Sequence, residues 1–128
     1  MADSNAQGAG LPPVRIHFQD RFPIETRGIT ADEEPAVIEI HKVEYSLEER
    51  GSLYDVTFYV SGIKAFSITD DDQECFIKWG MFRYGSKEPV AEGSVGTGSI
   101  EMGERFNERE CEAPGIMPGD YSFEIIYV

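Results

Sequence analysis

The chain has 128 residues, 24 acidic side chains against 11 basic ones, and a net charge of −13. Such a balance repels phosphate backbones and anionic lipid, whose recognition rests on Lys and Arg, and so argues against nucleic acid and membrane surfaces as partners. The length suits one domain with a core that needs no metal or disulfide staple, and no apolar run approaches the ~20 residues of a membrane span.

Residues 1–13 are small and polar and end in Pro12-Pro13, which reads as a flexible leader. They lack the basic and apolar regions of a secretory signal peptide. Val14–Phe18 alternates with Val14, Ile16 and Phe18 on one face, as a short strand does. Residues 14–35 as a whole read as an irregular segment with a short strand near Ile24, so the folded domain is expected over 36–128. Val37–Tyr45 is a strand whose apolar phase changes from Ile38 and Ile40 to Val43 and Tyr45, which predicts a β-bulge near His41-Lys42. Ser46–Gly51 reads as a polar turn. Ser52–Phe66 alternates Tyr54, Val56, Phe58 and Val60 against Asp55, Thr57, Tyr59 and Ser61, with Gly62 marking a bend.

An acidic loop over 69–74 leads into Cys75–Tyr84, the densest aromatic run, which holds the single Trp. Cys75, Ile77, Trp79 and Met81 share one side and Phe76, Phe82 and Tyr84 the other. A strand apolar on both sides is expected at the middle of a sheet, covered on both faces, with Trp79 as core anchor. Val90–Ile100 is a glycine-rich strand, and Glu104–Glu112 fits a strand or a short helix. After the Met117–Asp120 turn, Tyr121–Val128 is the last strand, with Tyr121, Phe123, Ile125 and Tyr127 on one face. About seven short strands between turn signals, with no sustained helical period, predict an all-β antiparallel β-sandwich.

The closing phrase Pro118-Gly119-Asp120-Tyr121-Ser122-Phe123-Glu124-Ile125 resembles the final hairpin of bacterial immunoglobulin-like modules. The long strand ending at Ser61-Gly62, the tryptophan strand Trp79–Tyr84 and the glycine-rich strand after it are in a similar order. The resemblance covers about residues 36–128. It implies an immunoglobulin-like sandwich in a bacterial secreted or cell-surface protein, with an extracellular or surface location and a role as spacer or protein-interaction domain. Cys75 lies four residues before Trp79 on the same strand, which departs from the antibody-type cysteine–tryptophan pattern.

Several residue groups could carry chemistry. Asp70, Asp71, Asp72 and Glu74 offer oxygens that suit Ca²⁺, with Glu48-Glu49 or Asp32-Glu33-Glu34 as further donors, although the helix–loop–helix calcium spacing is absent; a solvated acidic turn is the plainer reading. His17 and His41, the only histidines, lack the spacing of a metal motif and read as structural or surface residues. Cys75 and Cys111 either pair as a disulfide or are both free; burial among aromatics for Cys75, and flanking Glu110 and Glu112 for Cys111, disfavour a nucleophilic thiolate in either. Gly93-Ser94-Val95-Gly96-Thr97-Gly98 lacks the Lys and the following helix of a phosphate loop. Tyr45, Tyr54, Tyr59, Phe82, Tyr84 and Tyr127 exceed what one core face needs, so some are expected to face outward, where aromatics stack on sugars, anchor a protein or stiffen the sheet.

The residues thus predict a non-enzymatic module without a cofactor, monomeric or weakly dimeric through an edge strand such as Tyr121–Val128 or the glycine-rich strand. A carbohydrate- or calcium-binding accessory module is the first alternative and a small enzyme the second.

Overall fold

A computed structural model describes residues 12–18, 21–30, 35–67 and 73–126. Eight strands account for most of them: β1 (Val14–Phe18), β2 (Ile24–Thr30), β3 (Pro35–Arg50), β4 (Leu53–Ser67), β5 (Gln73–Arg83), β6 (Pro89–Ile100), β7 (Arg105–Ile116) and β8 (Gly119–Ile126). No helix occurs among the described residues. The all-β class follows from the alternating pattern. The strand that holds Arg105–Ile116 settles the strand-or-helix alternative over 104–112.

The strands form one open, mixed sheet in the order β1-β8-β5-β2-β3-β4-β7, with β6 also paired to β5. The expectation of about seven strands compares with eight among the described residues. The antiparallel expectation is corrected at one ladder: β1 lies parallel to β8, from Val14 opposite Gly119 to Phe18 opposite Phe123. The segment 14–35, read as largely irregular, supplies β1 and β2 to this sheet, and Val14 is fully buried in the core. A five-residue strand carries little local signal, and its partner is over a hundred residues away, so its pairing is a tertiary matter.

β3 and β4 make one long hairpin, paired from Ala36–Ser67 to Arg50–Leu53. The turn is Gly51-Ser52 alone, with Gly51 at φ 66° in the left-handed region that glycine enters freely. Ser46–Arg50, expected as a turn, continues the strand instead. Arg50 donates twice to Asp55 across the hairpin end, both at 3.0 Å, which suits an ordered ladder over a loop. The register shifts between Ile40 and Lys42, so His41 is the extra residue of the expected bulge. This lets Ile38 and Ile40 before it, and Val43 after it, all point inward and stay buried. Gly62 faces the same irregularity: a Cβ there would sit 2.1 Å from the Glu39 carbonyl oxygen.

The phase of β4 turns over at Ala65, the extra residue of a register shift between Val37 and Ile38. Val56, Phe58, Val60 and Lys64 are buried before it, and Phe66 is exposed after it. The Lys64 ammonium donates to the Ile100 carbonyl at 2.9 Å and reaches that of Gln73 at 3.5 Å, so the buried charge rests on backbone oxygens of β5 and β6.

β5 is the most connected strand. One edge pairs with β2 at Cys75-Phe76 and with β8 from Lys78 to Arg83; β6 pairs along nearly the whole strand. Because β2 and β8 share that edge, the sheet forks and curls. Phe58 of β4 comes to 6.2 Å from Trp79 of β5, although those strands are not ladder neighbours, and both rings pack on Phe123 of β8, at 4.2 and 5.8 Å. Tyr45 and Phe18 extend this aromatic core.

Candidate interaction surface

The inner side of β5 is as the pattern predicts: Cys75, Ile77, Trp79 and Met81 are all buried. The outer side is not covered. Phe76 is 41% exposed and Tyr84 59%, Lys78 is exposed and Phe82 half-buried. The expectation that β5 is covered on both faces is therefore corrected. The strand is central by hydrogen bonding, yet only one face meets the core, because the sheet curls around that face alone. Part of the outer apolar surface is absorbed locally: the Phe82 ring lies over Gly80, where a Cβ would meet it at 2.8 Å.

The outer apolar surface extends sideways by register. Ile29 of β2 sits opposite Phe76, and Arg27, two residues earlier, opposes Val37 of β3, which opposes Phe66 of β4. Directly opposed residues share a face, so Phe66, Val37, Ile29 and Phe76 form one outward band. Phe66 is 54% exposed. Beside it lies a depression of about 310 Å³ lined by Arg27, Pro35, Ala36, Val37 and Phe66. Within the band Val37 and Ile29 are half-buried and Arg27 lies beside them; contiguous apolar surface rimmed by polar groups is the kind that interaction sites use.

Further along the same sheet, β1, β8 and the end of β5 build a polar cluster. Arg15 donates to both carboxylate oxygens of Asp120, at 2.7 and 2.8 Å, and His17 Nε2 approaches Asp120 Oδ1 at 3.3 Å. The His17 ring packs on Tyr84 with centroids 4.3 Å apart. Hydrogen bonds from Arg15 and then His17 hold the Asp120 carboxyl down at about 2. The Tyr84 N–H donates to the Asp120 carbonyl at 3.0 Å, which joins the cluster to β5.

On the other side, β6 and β7 lie next to one another without a ladder between them, leaving a polar cleft of about 390 Å³ lined by Ser94–Gly96 and Asn107–Glu110. Arg109 spans it, donating from Nε to the Gly96 carbonyl at 2.8 Å and lying 3.8 Å from Glu74. Glu108 adopts φ 49° here, and its N–H donates to Ser61 Oγ at 2.9 Å.

Of the acidic residues read as a candidate calcium site, Asp70, Asp71 and Asp72 lie outside the described residues. Glu74 accepts from the Gly98 N–H at 3.1 Å and faces Arg109. Among the described residues no group of three or more His, Cys, Asp or Glu is placed to hold a metal ion. Of the further donors considered, Asp32, Glu33 and Glu34 also lie outside. His41 is bonded to Glu39 at 2.6 Å. Cys75 and Cys111 are free, buried thiols; burial pushes the Cys75 thiol up and raises that of Cys111 to about 12.

Of the aromatics singled out in the sequence, Tyr45 and Tyr54 pack against the core, while Tyr59, Phe82 and Tyr84 alternate outward; Tyr127 lies outside the described residues. Phe66 and the Arg15–Asp120–His17 cluster escaped sequence reasoning. The phase reversal at Ala65 hid the first, and the long-range β1–β8 pairing hid the second. No protein-family model matches the chain, and neither a curated protein nor a solved structure matches it.

Proposed function

We propose that the chain is a non-enzymatic immunoglobulin-like module of a bacterial secreted or cell-surface protein and that it works as a protein-interaction domain. The observation that carries this reading is the outward band of Phe66, Val37, Ile29 and Phe76, with Tyr84 just past the end of β5. Aromatic side chains on a rigid sheet supply contact area at small entropic cost, which suits interface anchors. The immunoglobulin-like assignment is supported by the resemblance of the closing sequence Pro118–Ile125 and by Trp79 in the aromatic core. A binding rather than catalytic role is supported by the chemistry of the thiols and histidines: both thiols are buried with raised pKa, and each histidine is turned to a carboxylate.

The test is site-specific photo-cross-linking in the native host. A benzoylphenylalanine at position 76 should capture a defined protein, and one at position 57, on the outer face of the opposite hairpin end, should not. Excess unlabelled chain should abolish the adduct, and a Phe66→Asp/Phe76→Asp chain with unchanged melting should fail to do so. Equal capture from both positions, or competition by the doubly substituted chain, would sink the reading.

A further inference from the structure

β1 differs from every other strand in how it is held. Among the described residues it pairs with β8 alone, in parallel, and lies at the end of the sheet path. The other ladders are antiparallel and join β2 to β8 without it. Its seat is specified by the strand itself. Val14 is fully buried, and Ile16 and Phe18 pack on the core from the same side, Phe18 against Tyr45 and Phe123. From the opposite side Arg15 and His17 both address one carboxylate, Asp120. The Gly119 N–H donates to the Pro13 carbonyl at 2.9 Å and carries the pairing one residue upstream.

From this we infer that β1 is an exchangeable arm: Pro13–Phe18 of one copy seats on β8 of a second copy, with Arg15 on the second copy's Asp120. The contacts named above involve only β8, Tyr84 and the core beneath, so a second copy offers the same partners in the same geometry. That identity of contacts is the condition under which strand exchange yields a closed two-fold dimer. In one chain the Arg15–Asp120 pair spans 105 residues of sequence, and because β1 rests on a single ladder its release leaves every other ladder in place. The inference does not use the outer band of Phe66 and Phe76 and is independent of the partner proposed for it.

The test uses full-length chains with reversed charges. Arg15→Glu places a carboxylate against the chain's own Asp120, and Asp120→Arg places a guanidinium against its own Arg15. Each chain alone therefore repels its arm. In a mixture, each arm finds an opposite charge on the other chain. The two variants are held together at about 1 mM, the range of effective concentration that a short tether supplies, and then sized by light scattering.

The mixture should run at twice the 14.3 kDa monomer mass, and each variant alone should not. A chain carrying both substitutions should regain the wild-type melting temperature as a monomer at dilution. A mixture that stays monomeric while the doubly substituted chain melts like wild type would overturn the inference. So would a dimer that forms equally from one variant alone, or a doubly substituted chain that fails to recover.

Discussion

Arg15 holds Asp120 through two parallel hydrogen bonds, 2.7 and 2.8 Å long, across 105 residues of sequence. This fork-on-carboxylate geometry is the most directional ion pair available to side chains. It fixes the register of a parallel strand that no turn could fix. It also makes the attachment of β1 sensitive to the charge state of one residue.

Asp120 is held at about 2 in the folded chain, below its ordinary value of 3.8. A depressed carboxyl contributes stability that is fully present above its unfolded value and is lost as pH falls through the folded one. The contribution is therefore complete above pH ~4 and fades toward pH ~2. Asp55, lowered by Arg50 and the Gly115 N–H, fades in the same direction. Comparing wild type with Asp120→Asn isolates the Asp120 share: the difference in denaturation midpoint should be constant above pH ~5 and shrink below pH ~4. A difference that grows on acidification would contradict the clasp.

Phe58 is fully buried and stacks on Phe123 at 4.2 Å, with Trp79 at 6.2 Å. Removing its ring leaves a cavity where the two arms of the curled sheet meet. Phe58→Ala should cost about 3–5 kcal/mol in urea unfolding. It should also shift the emission of Trp79, the chain's single tryptophan, to the red. A loss under about 1 kcal/mol would mean that the site collapses or that the arms are not packed through this ring.

Gly62→Ala places a methyl 2.1 Å from the Glu39 carbonyl oxygen and 3.0 Å from the Phe106 ring. Backbone cannot yield as a flexible side chain does, so the β3–β4 ladder must open at the bulge. The expected cost is about 1–3 kcal/mol, with faster amide exchange at Glu39 and Gly62. The nearest atoms to a Gly80→Ala methyl belong to side chains, the Phe82 ring at 2.8 Å and Ile126 at 3.5 Å. This substitution should be milder, since the Phe82 ring can swing toward solvent.

Cys75 and Cys111 are both buried, and the Cys111 thiol stands at about 12. At pH 8 that leaves roughly one part in ten thousand of Cys111 as thiolate. A disulfide-exchange reagent should react with neither thiol in the folded chain and with both in denaturant, so that labelling reports global unfolding. Prompt reaction of either thiol without denaturant would contradict its burial.

The alternation of Val56, Phe58 and Val60, the Cys75–Met81 inner face and the Tyr121–Phe123–Ile125 face were legible because side-chain direction alternates with a period of two whatever the neighbours are. The bulge at His41 was legible for the same reason, since the apolar phase of β3 changes there. These local features determined an all-β chain with Trp79 in its core. Three things were decided only by tertiary structure. The parallel seat of β1 on β8 depends on the Arg15–Asp120 pair, which no local pattern links. The outward turn of Phe66 follows from the register shift between Val37 and Ile38, which leaves Ala65 as an extra residue and reverses the face that β4 had kept inward from Val56 to Lys64. The exposure of Phe76 and Tyr84 follows from which face of β5 the sheet curls around. An apolar side chain records only that it can be buried; the curl of the whole sheet decides whether it is.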